Sequence, residues 1–245
     1  MKNVLITGAT GGIGSAIAAE FAKNGFNVAV HTHSKSDKGQ RIANELAQKY
    51  SIGTISVRSD VSSQNSVREM FDIIEKEFGQ IDILVNNAGI ARQKLFTEIT
   101  ADEWYNMIGV NLDGAFFCSQ EVLKRYMIKN HSGAILNISS MWGQVGASCE
   151  VHYSAAKAGI IGLTKALAKE VGLSGIRVNC ICPGVVMTDM MKSFDKDTLS
   201  ALKEETPLNS LGTPQDIADT AVFLCSSKAK FITGQVIGVN GGFVI

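Results

Sequence analysis

The stretch Val4-Leu5-Ile6-Thr7-Gly8-Ala9-Thr10-Gly11-Gly12-Ile13-Gly14 decides the fold of this chain. Its aliphatic start predicts a short buried strand, and the segment that follows Ile13 has the apolar period of a helix. Glycines between a strand and a helix let the backbone turn sharply and approach a pyrophosphate closely, while the helix N-terminus offers free N–H donors to the anion. The stretch therefore predicts a phosphate-binding loop. The alternative is a tight turn that binds nothing.

The rest of the chain repeats this alternation of short β-branched runs with longer segments of helical period. Strands are predicted at residues 4–6, 27–31, 54–58, 81–85, 134–138, 178–181 and 236–239. Helices are predicted at residues 13–24, 38–50, 63–78, 101–129, 153–172 and 214–226. Residues 81–85 show almost no polar alternation, as expected for a parallel strand that helices cover on both faces. We therefore expect an α/β, single-domain Rossmann fold with a doubly wound, seven-stranded parallel sheet and helices on both faces.

Residues 187–212 depart from this rhythm. The segment contains Met, Lys and Asp residues, with Pro207 and Gly212 near its end. We interpret it as a partly helical lid over the substrate. No repeat or shift in composition indicates a second domain, so residues 1–245 are expected to form one dinucleotide-binding and catalytic domain.

The composition argues against several classes of function. The 23 Lys and Arg residues balance 23 Asp and Glu residues, so no global field attracts nucleic acid or an anionic membrane. No segment reaches the roughly 18 apolar residues of a membrane helix. The 5 cysteines are scattered, lack the CxxC pairs of a zinc or redox site, and fit a reducing compartment. We expect a cytoplasmic protein with no metal, no nucleic-acid partner and no membrane partner.

The end of the second predicted strand bears on the choice of cofactor. An NAD-selective site usually places a carboxylate there, whereas this chain has His31-Thr32-His33-Ser34-Lys35. Hydroxyl, imidazole and ammonium donors suit a 2′-phosphate. The segment therefore favours NADP (NADPH) over NAD, with His33, Ser34 and Lys35 as binding residues. The alternative is that His31 and His33 are ordinary residues at the end of a strand.

A tyrosine and a lysine stand four residues apart at the start of a predicted helix, so Tyr153 and Lys157 share one face. A tyrosine with its ordinary pKa near 10 is a sluggish acid or base at neutral pH, and a neighbouring ammonium favours its phenolate. Ser140 ends the preceding strand, from which its hydroxyl can donate a hydrogen bond to a substrate oxygen. This spacing predicts proton-transfer chemistry at Tyr153.

These features occur in a recognisable order. The order is Thr7-Gly8-x-x-x-Gly12-x-Gly14, Asn86-Asn87-Ala88-Gly89, Asn111, Ser140, Tyr153-x-x-x-Lys157 and Pro183-Gly184. Over essentially its whole length the chain resembles the short-chain dehydrogenase/reductase family. Within that family it is most similar to the bacterial 3-oxoacyl-[acyl-carrier-protein] reductases, through Val110-Asn111-Leu112, the residues Tyr153-Ser154-Ala155-Ala156-Lys157-Ala158-Gly159 and the ending Val239-Asn240-Gly241-Gly242.

The resemblance implies a role for each of four residues. Tyr153 would protonate the carbonyl oxygen as hydride arrives from the nicotinamide, and Ser140 would polarise and orient that carbonyl. Lys157 would hold the nicotinamide ribose and ease proton movement through Tyr153, while Asn111 would position a water that links Lys157 to solvent. Ser139 precedes Ser140, but neighbouring strand residues point to opposite faces, so we expect Ser139 to be structural.

The resemblance also implies cofactor contacts beyond His33, Ser34, Lys35, Tyr153 and Lys157. They are Gly8, Thr10, Gly11, Gly12, Ile13 and Gly14 in the loop, Asp60 and Val61 beside adenine, Asn87, Ala88 and Gly89 beside the adenosine ribose, and Pro183, Gly184, Val185 and Thr188 around the nicotinamide. Many NADP-dependent relatives carry an arginine where this chain has Gly11. That departure puts the recognition of a 2′-phosphate on His33, Ser34 and Lys35.

The residues predicted to contact substrate are Ser140, Met141, Trp142, Tyr153 and Met190. Other residues expected at the entrance are Val145, Cys149 and His152, with Met187, Met191 and Phe194 from the lid. Flexible thioethers accept varied apolar shapes, so an acyl chain, a steroid or another hydrophobic ketone would fit. The alternative is that the methionines only pack the lid against the core.

The resemblance implies NADPH-dependent reduction of a 3-oxoacyl thioester, on acyl carrier protein or coenzyme A, to the 3-hydroxyacyl thioester in fatty acid biosynthesis. One alternative is a short-chain alcohol dehydrogenase or ketone reductase for a sugar, steroid or other small substrate. Another is a dinucleotide-binding regulator, which would not need the complete proton-transfer set.

The resemblance suggests a homotetramer. A basic cluster of Lys124, Arg125, Lys129 and His131 is a docking surface for an acidic carrier protein or simply a solvated helix face.

Overall fold

The sheet is built from seven parallel strands. A computed structural model describes residues 1–188, 191 and 195–245. Its strands are β1 (Asn3–Ile6), β2 (Asn27–Thr32), β3 (Thr54–Arg58), β4 (Ile83–Asn86), β5 (Gly133–Ile138), β6 (Ile176–Pro183) and β7 (Val236–Val239). They lie in the order β3-β2-β1-β4-β5-β6-β7 and all pair in parallel, which confirms the predicted fold class. The strand order reverses between β1 and β4, and ligands of such sheets bind outside the carboxyl ends of the strands at that point.

The helices connect consecutive strands. They are α1 (Gly12–Lys23), α2 (Ser36–Tyr50), α3 (Gln64–Phe78), α4 (Ala101–Ile108), α5 (Gly114–Val122), α6 (Ile128–Asn130), α7 (Met141–Val145), α8 (Val151–Val171), α9 (Lys196–Glu205) and α10 (Pro214–Cys225). Two π-helical turns, Gly109–Asp113 and Leu123–Met127, join α4, α5 and α6 into one long element, where the sequence predicts a single helix. The short helix α7 was not predicted.

Two hydrophobic clusters cover the two faces of the sheet. Along β1, Val4 and Ile6 belong to one cluster and Leu5 to the other, as the alternation of side chains across a strand requires. The first cluster includes residues of α1 and α10, and the second includes residues of α3 and α5. Because both faces are buried, β1 and β4 are buried at every position. The crevice at their carboxyl ends is therefore bordered by two fully buried strands.

The predicted lid is described in part. Its two ends are tied together, since Met187 N–H donates to the carbonyl of Gly212 at 2.8 Å and Gly212 N–H donates to that of Val185 at 2.9 Å. Helix α9 begins after Asp195, whose carboxylate accepts the N–H of Thr198 at 2.7 Å. The expected helical content is present in this described part. Among the described residues, no helix is both long and apolar enough to cross a membrane.

Candidate active site

The phosphate loop has the backbone geometry that its glycines predict. Gly8 has a φ of +66°, and a Cβ added to it would lie 2.8 Å from Cα of Ala88. A Cβ on Gly12 would lie 2.8 Å from Cγ2 of Thr188, and one on Gly14 would collide with the carbonyl oxygen of Gly8. Side chains at these positions would push the loop away from its neighbours. The glycines therefore serve close packing as well as the turn.

The end of β4 holds this loop in place. The Thr7 hydroxyl oxygen accepts the N–H groups of Asn87 at 2.9 Å and Ala88 at 3.0 Å. The Asn87 side-chain amide donates to the carbonyls of Thr7 at 2.9 Å and Gly8 at 3.2 Å. Helix α1 begins beyond the loop with Gly11 as its N-cap, without a capping side chain and without an acidic residue in its first turn. The first N–H groups of α1 are thus left available to an anion.

A cavity of about 590 Å³ runs from the loop across the ends of the neighbouring strands. Fifteen of the predicted cofactor residues line it: Gly8, Thr10, Gly11, Gly12, Ile13, Gly14, His33, Ser34, Lys35, Asp60, Val61, Asn87, Ala88, Gly89 and Thr188. The predicted contacts Tyr153 and Lys157 do not line it. Pro183, Gly184 and Val185 do not line it either. They lie at the base of the lid, where Gly184 N–H donates to the Val239 carbonyl at 3.0 Å. The lining residues come from the phosphate loop and from the segments after β2, β3 and β4, so they offer contacts along the length of a dinucleotide.

Basic residues gather around the start of α2, at one end of this cavity. A second cavity of about 520 Å³ is lined by Ser34, Lys35, Ser36, Asp37, Lys38 and Arg41. Lys38 lines both cavities, and it lies with Lys35 and Arg41 around the start of α2. Three cations at a helix N-terminus form a favourable environment for a phosphate. Lys38 and Arg41 were not among the predicted site residues, and the helix that carries them was predicted to start at residue 38, two residues after its observed start.

Asp60 does not leave a free carboxylate in this region. Its carboxylate accepts hydrogen bonds from the N–H and the hydroxyl of Ser62, at 3.0 and 2.7 Å. Partial burial raises the pKa of Asp60, but the hydrogen bonds from Ser62 outweigh it and leave the pKa below the usual value. The carboxylate is therefore ionised and already partnered.

His31 does not serve the cofactor in the way the sequence suggests. The ring was considered among the donors that suit a 2′-phosphate, but it is only 1% exposed and both of its nitrogens are hydrogen-bonded within the protein. Its Nδ1 accepts the N–H of Gly8 at 3.0 Å, and its Nε2 lies 3.0 Å from the carbonyl oxygen of Ser59. His33, by contrast, is exposed at the rim of the cavity.

The predicted proton-transfer residues come together beside this cavity. Ser140 caps the N-terminus of α7, and its hydroxyl oxygen accepts the N–H of Trp142 at 3.2 Å. Tyr153 and Lys157 lie on α8, with Lys157 Nζ 5.7 Å from the centre of the Tyr153 ring. Lys157 Nζ donates to the carbonyl of Ile138 at 2.9 Å. A Cβ on Gly89, which lines the cavity, would lie 3.4 Å from Lys157 Nζ, so the lysine is adjacent to the cavity wall.

Burial sets the charge of both residues. Burial raises the pKa of Tyr153 to about 12, with a hydrogen bond to Ser140 lowering it and the carboxylate of Glu150 raising it. Burial also lowers the pKa of Lys157 to about 8. An ammonium beside the ring was expected to favour the phenolate, whereas the pKa of Tyr153 is raised, with burial as the main cause. At pH 7 Tyr153 therefore carries its proton, which is the form that an acid needs.

Asn111 is placed by an irregularity in its helix. The π-helical turn Gly109–Asp113 contains it, and its side-chain amide donates to the carbonyls of Met107 and Ile90, both at 3.0 Å. Its Oδ1 is buried without a hydrogen-bond partner among the described residues, and a Cβ on Gly89 would lie 2.6 Å from it. Gly89 is thus flanked by Asn111 Oδ1 and Lys157 Nζ. A buried acceptor so close to an ammonium is a suitable site for a bridging water.

Ser139 has the structural role predicted for it. Its hydroxyl donates to the carbonyl of Lys157 at 2.7 Å, and its N–H donates to the carbonyl of Ile181 at 2.8 Å. These bonds connect β5 to α8 and β6. Ser139 therefore fixes the backbone of Lys157 and leaves the substrate side to Ser140.

The residues predicted to contact substrate or to lie at the entrance differ widely in how exposed they are. Met141 is only 3% exposed, and Trp142 is half-buried, with the edge of its ring against Phe243 at a centroid distance of 5.9 Å. Val145 and Met187 are exposed and Cys149 is half-buried. His152 is wholly buried and so does not line an entrance, which corrects that expectation. Met191 is described and half-buried, whereas Met190 and Phe194 lie outside the described residues.

The basic cluster is smaller than its sequence suggests. Arg125 binds three carboxylates, those of Asp72, Glu75 and Glu121. It is therefore occupied within the protein, and its charge is compensated. Lys124, Lys129 and His131 remain exposed.

Comparison with known proteins gives consistent matches over the whole chain. A family model described as "Enoyl-(Acyl carrier protein) reductase" matches residues 8–244. Proteins named 3-oxoacyl-[acyl-carrier-protein] reductase FabG are similar to it. The protein from Staphylococcus epidermidis is 41% identical over 241 residues, 98% of each chain. That from Staphylococcus aureus is 40% identical over 98% of this chain and 97% of its own, and that from Aquifex aeolicus is 42% identical over 98% and 96%.

Proposed function

This chain belongs to the short-chain dehydrogenase/reductase family, and from this premise we propose that it reduces a 3-oxoacyl thioester to the 3-hydroxyacyl thioester with NADPH in fatty acid biosynthesis. The single observation that carries the proposal is the grouping of protonated Tyr153 with Ser140 and Lys157, where Lys157 Nζ is adjacent to the wall of a glycine-lined cavity. Such a site pairs a hydride donor with a proton donor. The names of the similar proteins supply the substrate class.

The cavity fits a nicotinamide dinucleotide on several counts. The glycine cradle would be filled by any Cβ at Gly8 or Gly12, and the uncapped start of α1 suits the pyrophosphate. Lys35, Lys38 and Arg41 suit the 2′-phosphate that distinguishes NADPH from NADH. They compensate for the missing arginine at Gly11, together with His33 and Ser34 at the rim.

The proposed mechanism assigns one task to each residue. When bound, the nicotinamide supplies the hydride that reduces the carbonyl carbon. Tyr153 donates its phenolic proton to the carbonyl oxygen, and Ser140 holds that oxygen in place by a hydrogen bond. The positive charge of Lys157 stabilises the phenolate that Tyr153 becomes, and Lys157 also holds the nicotinamide ribose. Asn111 Oδ1 positions a water that links Lys157 to solvent, and a proton that enters from solvent along this relay restores that of Tyr153.

The partners of the chain follow from the same premise. The substrate is an acyl thioester, presented by acyl carrier protein or coenzyme A, and Met141 and Trp142 lie on the side where it would bind, beside Ser140. We also propose a homotetramer, because exposed apolar residues lie on the long element before β5 and beyond α10, at Phe116 and Phe231. All 5 cysteines are free, which fits a cytoplasmic location.

An initial-rate assay tests this proposal. The oxidation of NADPH and, separately, of NADH is measured with an acetoacetyl thioester and with a panel of ketosteroids and cyclic ketones. Fast reduction of the thioester with NADPH supports the proposal. Activity confined to the panel would replace the substrate assignment by the alternative of a general ketone reductase, and a preference for NADH would overturn the cofactor assignment.

A further inference from the structure

His31 is a buried titratable group that the proposed reaction does not use. It lies near the end of β2 and is only 1% exposed. Nδ1 accepts the N–H of Gly8 at 3.0 Å, and therefore carries no hydrogen of its own. The ring hydrogen then sits on Nε2, which donates to the carbonyl of Ser59 at 3.0 Å. A single neutral imidazole thus joins the phosphate loop, β2 and the segment that follows β3.

The two bonded segments lie at different parts of the cofactor cavity. Gly8 opens the phosphate loop, while Ser59 precedes Asp60 and Val61, which line the cavity on the other side of β2. The backbone ladder also reaches this level: Ala9 N–H donates to the carbonyl of His31 at 2.9 Å, and Ser59 N–H donates to that of Thr32 at 3.1 Å. The imidazole adds a side-chain connection where the regular strands end.

We propose that His31 is a positioning residue for the dinucleotide: its imidazole fixes the phosphate loop relative to the adenine side of the cavity. This inference rests on the proposed function only in that a nicotinamide dinucleotide is the ligand. The Gly8 N–H is bonded to the ring, and the N–H groups of Ala9 and Gly11 are bonded to the carbonyls of His31 and Gly8, so the loop is held within the protein while the first N–H groups of α1 stay available to the cavity. Losing the ring acceptor leaves a partly buried donor unpaired, so the loop that turns at Gly8 is no longer held in one position.

The charge state of the ring agrees with this arrangement. Burial lowers the pKa of His31 to about 4; the carbonyl of Ser59 and the carboxylate of Asp60 raise it, and His33 lowers it further. The ring is therefore neutral at any pH near 7, and both of its hydrogen bonds are available. A protonated ring would present a donor to the Gly8 N–H.

Three substitutions separate the two hydrogen bonds. His31→Asn keeps an acceptor near the position of Nδ1, His31→Gln keeps a donor near that of Nε2, and His31→Leu keeps neither. We expect the dissociation constant for NADPH, measured by fluorescence titration, to rise about tenfold in His31→Leu, and to rise less in His31→Asn than in His31→Gln. The Michaelis constant for NADPH should rise in the same order, while turnover at saturating NADPH stays near that of the wild type.

The matched control is Ile74→Val, a buried change on α3 in the second hydrophobic cluster, at a residue that does not line the cavity. Its melting temperature falls through lost packing, but its affinity for NADPH should be that of the wild type. If His31→Leu binds NADPH as tightly as the wild type, His31 is no positioning residue. The same follows if Ile74→Val, with a melting temperature lowered as much as that of His31→Leu, loses as much affinity for NADPH. If the wild-type chain binds neither NADPH nor NADH, the proposed function itself fails, and the two failures are thereby told apart.

Discussion

At the scale of single residues, removing the phenolic hydroxyl of Tyr153 is the most direct test of the proposed mechanism. Tyr153→Phe removes the phenolic hydroxyl and leaves the ring in place, so we expect turnover to fall by a factor of about one hundred or more. The dissociation constant for NADPH should hardly change, because Lys157 keeps its place on α8. Steady-state rates and a fluorescence titration measure the two quantities.

The chain offers a matched control for this substitution. Tyr126 is also buried, and it packs on Phe71 in the cluster beneath α3. Tyr126→Phe should keep the wild-type turnover. Unchanged turnover in Tyr153→Phe would exclude this residue as the acid.

Predictions from the sequence were least complete for the contacts and pKa values of single residues. Tyr153, Lys157 and Ser140 were found because their spacing on a helix and at a strand end has a chemical meaning. The hydrogen bonds of His31 to Gly8 and Ser59 could not be predicted, since β2 is buried from Val28 to Thr32 and shows no polar alternation that assigns a face. The pKa of Tyr153 could not be predicted either, because it depends on burial that only the packed fold creates.

At the scale of elements, the start of α2 is predicted to decide between NADPH and NADH. Lys38→Glu combined with Arg41→Glu replaces two cations by carboxylates where the 2′-phosphate would bind. We expect the dissociation constant for NADPH to rise by a factor of about one hundred, and that for NADH to change by less than a factor of about three, because NADH carries no such phosphate.

The same helix provides the control. Lys49 is exposed in the last turn of α2, so Lys49→Glu changes the charge of the element without touching the site. Its ratio of NADPH to NADH affinity should be that of the wild type. A double variant with an unchanged ratio would show that the 2′-phosphate is recognised elsewhere.

Helices and strands were predicted well where the apolar pattern continues over enough residues to establish a period. All seven strands and the six long helical segments occur close to their expected positions. Helix α7 has only five residues, too few to establish a period, and it exists because Ser140 caps it. The π-helical turn at Asn111 arises because the Asn111 side chain bonds to the Met107 carbonyl within the helix, a local event that no apolar pattern records.

At the scale of the whole molecule, the topology brings distant residues to one edge of the sheet. Gly8 follows β1, Asn87 follows β4 and Ser140 follows β5, and parallel strands place all three at their carboxyl ends. The alternation of strands and helices was therefore sufficient to predict a common site. It was not sufficient to predict how the charges on the outer surface are paired, because Arg125 meets Asp72 and Glu75 only through packing of α3 against the long element before β5.

That pairing limits where an acidic carrier protein can dock, because it leaves Lys124 and Lys129 as exposed cations of the basic cluster. Lys124→Glu combined with Lys129→Glu should raise the Michaelis constant for a carrier-bound substrate about tenfold, through repulsion of the acidic partner, and leave that for the coenzyme A thioester unchanged. Lys228→Glu combined with Lys230→Glu makes the same change of charge at exposed positions after α10, and should affect neither substrate. Equal effects on both substrates would mean that the carrier protein docks on another surface, since a loss that does not depend on the carrier cannot come from contact with it.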